Sequence, residues 1–246
     1  MSKPLADRIA LVTGASRGIG RAAALKLAEA GAHIVATART VGGLEELDDE
    51  IRKAGSSATL VPLDIRDTDG IGRLSSALYE RYHRLDVMIG NAGVGGPNSP
   101  LGHVLPKDWD DVVAVNITAN WHLIRFMDRL LQASDAGRVV FLTSGSASNA
   151  RAYRGPYSMS KAALEVLART YANENATTNV RINLFSPGPT RTRMRAAVAP
   201  GEDPMTLPTA EEVAAKMVPL CLPSFTESGK IYDFRAGRLQ EFRPPA

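Results

Sequence analysis

Short β-branched and apolar runs alternate with longer stretches of helical periodicity along nearly the whole chain. That alternation restricts the possible folds more than any single residue does. Strand patterns fall at 8–13, 33–37, 58–63, 85–89, 138–143, 180–185 and 230–234. Helical patterns lie between them: 18–30, with Ile19, Ala23, Leu27 and Ala30 at helical spacing; 43–54, closed by Gly55; and a third starting near 67, with Ile71, Leu74 and Leu78 on one face. A long pattern carries Val112, Val115, Leu123, Ile124 and Met127, and another runs over 157–173. Strands separated by helices pair in parallel through right-handed crossovers, and the helices cover both faces. The expectation is an α/β fold, a doubly wound parallel sheet of about seven strands.

No linker, repeat or low-complexity stretch breaks the pattern, so residues 1–246 are expected to form one dinucleotide-binding domain of the Rossmann-like kind. The exception is 187–208, rich in Pro, Arg and Thr, which at that length reads as a substrate lid. A net charge of +3, with scattered Lys and Arg, argues against nucleic acid. No run approaches the ~18 apolar residues needed to span a bilayer. The first residues carry no apolar core of signal-peptide length, and the lone Cys221 excludes an internal disulfide framework. The expected setting is the cytoplasm.

The first strand ends in Thr13-Gly14-Ala15-Ser16-Arg17-Gly18-Ile19-Gly20 and runs directly into a helix. Glycines let a backbone turn sharply and approach a pyrophosphate, whose charge a helix N-terminus stabilises. The Gly-x-x-x-Gly-x-Gly spacing departs from the common Gly-x-Gly-x-x-Gly fingerprint. At the end of the second strand an acidic residue would bind the ribose hydroxyl of NAD. Here Ala38-Arg39 stands instead, and Arg17 lies in the phosphate turn. A guanidinium pairs well with a phosphate, so the expected cofactor is NADP(H), with both arginines near the 2′-phosphate. Asp64-Ile65 follows the third strand, where a carboxylate can accept from an adenine amino group. Asn91-Ala92-Gly93 follows the fourth, where Gly93 lets the backbone pass close to the cofactor. Both are also common turn sequences.

Tyr157 and Lys161 lie four residues apart on a helical pattern and so share a face. A nearby ammonium favours phenolate, which suits a tyrosine to proton transfer near neutral pH. Taken with Thr13 to Gly20, Asn91-Ala92-Gly93, Asn116, Ser144 thirteen residues before Tyr157, and Pro187-Gly188-x-x-x-Thr192, the chain resembles the short-chain dehydrogenase/reductase family in its single-domain form. The resemblance implies that Tyr157 is the general acid at a carbonyl receiving hydride. It implies that Ser144 hydrogen-bonds the same oxygen and that Lys161 holds the nicotinamide ribose and lowers the tyrosine pKa. Asn116 would hold a proton-relay water, and Pro187, Gly188, Thr190 and Thr192 would border the nicotinamide. Ser146 and Ser148 are alternatives to Ser144, and Thr192 also reads as a helix N-cap.

The resemblance further implies a small-molecule carbonyl or alcohol substrate and a homodimer or homotetramer. The substrate end offers Arg191, Arg193, Arg195, Arg151 and Arg154, which invite an anion such as an acyl thioester on a phosphopantetheine carrier, or form a solvated basic turn. The ending departs from the family's common Gly-Gly closure: Tyr232-Asp233-Phe234-Arg235-Ala236-Gly237 stands there, and Phe242 to Ala246 trail as a tail. Two alternatives to the leading activity are an NAD-dependent alcohol dehydrogenase and a catalytically silent dinucleotide-binding sensor or scaffold. His33, His83, His103 and His122 show no metal-ligand spacing, so no metal site is expected.

Overall fold

The strands form at the apolar, β-branched runs: β1 (Ile9–Thr13), β2 (His33–Ala38), β3 (Ala58–Pro62), β4 (Val87–Gly90), β5 (Arg138–Leu142), β6 (Arg181–Ser186), β7 (Ile231–Asp233) and β8 (Arg238–Gln240). In the computed structural model, which describes residues 3–241, they make one sheet in the order β3-β2-β1-β4-β5-β6-β7-β8. The tail at 242–246 lies outside the described residues. Every pairing is parallel except β7 with β8. The chain builds outward from β1 to β3 and then returns to place β4 on the other side of β1. The strand order therefore reverses there and opens a crevice at the carboxyl ends.

The eighth strand is absent from the sequence expectation. It has three residues, of which Arg238 and Gln240 are exposed and Leu239 is only half-buried, so no apolar period marks it. A turn built by the Asp233 carboxylate, which accepts from Arg235 N (2.9 Å) and Ala236 N (3.2 Å), returns the chain, with Gly237 at φ 66°.

The helices are α1 (Gly18–Glu29), α2 (Val41–Lys53), α3 (Thr68–Tyr82), α4 (Pro106–Val113), α5 (Ala119–Gln132), α6 (Ser146–Asn149), α7 (Gly155–Glu174), α8 (Arg193–Val198) and α9 (Ala210–Met217). Successive strand residues point to opposite faces, which splits the core in two. Ala10 and Val12 of β1 join Leu27 of α1, Leu47 of α2 and Val213 of α9. Ile9 and Leu11 join Ile71 of α3, Leu123 of α5 and Leu164 of α7. Each fully buried leucine of this kind contributes about 2 kcal/mol of transfer free energy. The long pattern around Val112 to Met127 is α4 and α5 joined through π-helical winding at Ala114–Thr118. Among the described residues no helix is long and apolar enough to cross a membrane.

A polar knot closes the end of the sheet opposite the crevice. Asp86 is 1% exposed and accepts from Ile9 N (2.8 Å), Ser134 Oγ (2.6 Å), Arg8 (3.1 Å) and Arg84 (3.2 Å). It thereby ties the starts of β1 and β4. Asp86→Ala should lower unfolding free energy by roughly 3 kcal/mol, because it leaves the buried Ile9 N–H and Ser134 hydroxyl without their acceptor and removes an anion from Arg8 and Arg84. Chemical denaturation of the variant checks this.

Candidate active site

The crevice between β1 and β4 opens into a cleft of about 1880 Å³. Its floor begins at the turn from β1 to α1. Gly14 has φ 66° and Gly18 φ 58°, conformations that a side chain disfavours. A Cβ on Gly14 would also meet Asn91 Nδ2 at 2.9 Å. Helix α1 starts without a side-chain cap, so its first N–H groups have no intrahelical partner. Ser16, Arg17, Gly18 and Ile19 line the cleft at that point. Glycines at left-handed φ and uncapped amides fit a pyrophosphate. Gly20 is not on the cleft wall; a Cβ there would lie 2.2 Å from Asn91 Nδ2, so its role is close packing of helix on strand.

Asn91, at the end of β4, donates through Nδ2 to Thr13 O (2.8 Å) and Gly14 O (3.3 Å), and so holds the turn. Thr13 answers it: its hydroxyl donates to Ile89 O (3.2 Å) and accepts from Asn91 N and Ala92 N (both 3.0 Å). Sequence reasoning quoted Thr13 as part of the motif and missed this latch; a buried hydroxyl at a strand end was the available signal. Ile65, Ala92 and Gly93 line the cleft beside it.

Arg17 and Arg39 both line the cleft, are exposed, and have no hydrogen-bond or ion-pair partner among the described residues. Asp64 also faces the cleft, but Arg66 grips its carboxylate (Nη2 to Oδ2 2.6 Å) and holds it below the usual carboxylate range. An adenine amino group would share that carboxylate with Arg66.

The other end of the cleft gathers Ser144, Tyr157 and Lys161. Ser144 follows β5, and its Oγ accepts from Ser146 N (3.2 Å). Tyr157 and Lys161 project from the first turns of α7. Burial holds the Tyr157 phenol above its ordinary value; the Ser144 hydroxyl and the Arg154 guanidinium act in the opposite direction. Lys161 differs from the simple side-by-side picture. Its Nζ donates to Leu142 O (2.7 Å) and lies 5.7 Å from the Tyr157 ring centroid. The cation nearer the ring is Arg154, at 4.8 Å. Burial lowers Lys161 to about 8, opposed in part by the Glu165 carboxylate. Glu165, one turn on, accepts from Thr143 Oγ1 (2.6 Å) and is itself raised by burial.

Asn116 sits in the π-helical turn, fully buried and behind the cleft wall. Its amide clamps Val94, accepting from the N–H and donating to the C=O (2.9 Å each), and donates to Ser160 Oγ (3.0 Å). Its main-chain oxygen accepts from Asn120 Nδ2 (2.9 Å). Pro187, Gly188, Thr190 and Thr192 line the cleft after β6. The Thr192 hydroxyl caps α8 by accepting from Arg195 N (3.2 Å), while its methyl faces Gly18. Among the described residues no three His, Cys, Asp or Glu side chains converge as metal ligands.

A glycine turn at the switch point of a doubly wound sheet, with a Tyr, Lys and Ser cluster across the same cleft, defines a dinucleotide-site architecture. The family model for short chain dehydrogenases matches residues 8–203, and the chain belongs to that family. An uncharacterized oxidoreductase of Escherichia coli K12, YciK, is 36% identical over 242 residues, 95% of this chain and 94% of its own. A solved short chain dehydrogenase from Shigella flexneri, complexed with NADP, superposes with a TM-score of 0.91 at 34% identity and covers 96% of this chain and all of its own. One from Escherichia coli CFT073, complexed with NADPH, gives 0.90 at 34% identity, over 95% of this chain and 98% of its own.

Lys161 should titrate near 8, so its charge is present below that pH and lost as the pH rises through it. Glu165→Gln removes the anion that favours the ammonium and should move the titration lower. NMR of labelled lysine side chains reads both values; an upward move in the variant would contradict the assigned cause.

Proposed function

We propose that the protein is an NADP(H)-dependent oxidoreductase that moves a hydride between nicotinamide and a carbonyl/alcohol pair, with Tyr157 as proton donor. The observation that carries this is the convergence of Ser144, Tyr157 and Lys161 at one end of the cleft whose other end is the glycine turn. Bound there, NADPH supplies the hydride. Arg17 and Arg39, exposed and with no side-chain hydrogen bond or ion pair among the described residues, support a 2′-phosphate beside them, and NADP and NADPH in the two solved relatives agree with that choice.

Burial favours the neutral form of the Tyr157 phenol, which carries the proton it would give to an oxygen placed against it. Ser144 is positioned to donate to that oxygen as charge develops. Lys161 has three N–H donors and spends one on Leu142 O, which leaves two for ribose hydroxyls. Asn116 is the relay residue in this proposal. Its side chain is occupied by Val94 and Ser160, so the remaining lone pair of its main-chain oxygen is the atom that would hold the water. Residues 187–208 act as the substrate cover within a one-domain chain.

The proposal extends to assembly and setting. The assembly proposed is a homodimer or homotetramer, and Trp121 of α5 and Val166 of α7, 44% and 57% exposed, offer apolar surface for it. The cytoplasm suits a chain whose lone cysteine can form no intramolecular disulfide.

Tyr157→Phe should abolish carbonyl-dependent NADPH oxidation and leave NADPH binding intact; retention of more than about a tenth of the rate would sink the donor role. Arg39→Ala should weaken NADPH binding by about tenfold to a hundredfold, the loss expected for a charged hydrogen bond, and leave NADH binding unchanged. Fluorescence titration with each nucleotide checks it.

A further inference from the structure

Five arginines surround the substrate end in the sequence, and the structure gives two of them other partners. Arg191 is spent on its own segment, donating to Pro204 O (2.8 Å) and Leu207 O (3.2 Å). Arg195 pairs in a fork with Glu202 (2.7 Å at Nη2). Arg151 and Arg193 are exposed side chains at the cleft. Arg154 is different. It is half-buried on the cleft wall, and its guanidinium carbon lies 4.8 Å from the centroid of the Tyr157 ring. Its Nη1 donates to Asn98 Oδ1 (2.8 Å), a neutral acceptor, and no carboxylate among the described residues lies within ion-pairing distance of it.

This placement is held rather than incidental. The loop before α7 turns through Tyr153 at φ 67°, and Ser99 N donates to Tyr153 O (3.0 Å). Asn98, the partner of Arg154, also donates to Val198 O of α8 (3.1 Å), so the guanidinium is braced between the loop after β4 and the segment after β6. Its Nη2 faces Gly95, 3.8 Å from where a Cβ would stand, and Met194 and Val198 close the same wall with apolar surface.

A guanidinium offers five N–H donors in a planar fork that matches a carboxylate. One of the five is used here. Burial disfavours the Arg154 charge, a cost that an anion seated on the free side of the fork would offset. Arg154 lines the cleft next to the phenol proposed to face the reacting oxygen.

Resting on the oxidoreductase reading above, we infer that the substrate is a short oxo acid, whose carboxylate docks on Arg154 while its carbonyl oxygen meets Tyr157 and Ser144. Because the guanidinium stacks on the ring of the proton donor, carboxylate and carbonyl are separated by only a few bonds. Arg154 then acts in substrate binding and register, while Arg191 and Arg195 of the lid are held by their own segment.

The test uses acetoacetate and levulinate, each against its methyl ester, as matched charged and neutral probes. Calorimetric binding to the protein, with and without NADP+, and NADPH-dependent turnover are measured for the wild type, Arg154→Met and Arg154→Lys. At least one acid should bind and turn over about tenfold or more better than its ester in the wild type, the scale of one charge-assisted pair. Arg154→Met should erase that ratio, and Arg154→Lys, which keeps the charge without the fork, should retain part of it. Equal handling of acid and ester by the wild type, or an unchanged ratio in Arg154→Met, overturns the inference while turnover of the esters leaves the oxidoreductase reading standing. Preferential, Arg154-dependent binding of an acid without turnover of any carbonyl does the reverse: it supports the anion site and overturns the activity.

Discussion

The cleft depends on a latch between the carboxyl ends of two strands that are distant in sequence. The Asn91 amide holds the carbonyls of Thr13 and Gly14, and the Thr13 hydroxyl takes the N–H groups of Asn91 and Ala92. Buried backbone groups at strand ends must find partners, and here they find each other across the point where the strand order reverses. Together with the β1–β4 pairing, that latch fixes the glycine turn relative to Gly93. Gly14 and Gly20 lack side chains for the same reason, since a Cβ on either would collide with the Asn91 amide.

Burial sets the chemistry at the other end. It raises the Tyr157 phenol and lowers the Lys161 ammonium, pushing both toward their neutral forms. Three nearby groups oppose it: the Ser144 hydroxyl and the Arg154 guanidinium at the phenol, and the Glu165 carboxylate at the ammonium. Glu165 is in turn fixed by Thr143, the residue before Ser144 at the end of β5. The proposed donor and the proposed ribose ligand are thus tuned by different neighbours, although they share a helix face.

Much of this was legible in the sequence because its signals are local. Apolar periodicity marked seven strands and the main helices, and the residues between them fell at carboxyl ends, where a parallel sheet gathers its loops. Arg17, Arg39, Ser144, Tyr157 and Lys161 all reach one cleft. What was not legible involves partners far apart in the chain. Asn116 belongs to the site motif, yet its side chain clamps Val94 and only its main-chain oxygen is left for the proposed relay. Asp86 carried no motif, yet it ties the start of β1 and Ser134 to the start of β4. The strand β8 is too short and polar to leave a period. The basic run from Arg191 to Arg195 invited an anion, yet its own carbonyls and Glu202 occupy two of its three arginines.

The sequence by itself determined the doubly wound sheet and the glycine turn, because spacing along one strand or helix fixes which residues share a face, and its ordered motifs carried the resemblance to the family. Only the tertiary structure decided which cation meets which group. Helical spacing put Lys161 nearest Tyr157, but the Lys161 ammonium turns to the carbonyl at the end of β5, and Arg154 comes over the ring from the preceding loop. A long, flexible cation turns to an acceptor within its reach, and the packing of the sheet against α7 places the Leu142 carbonyl there.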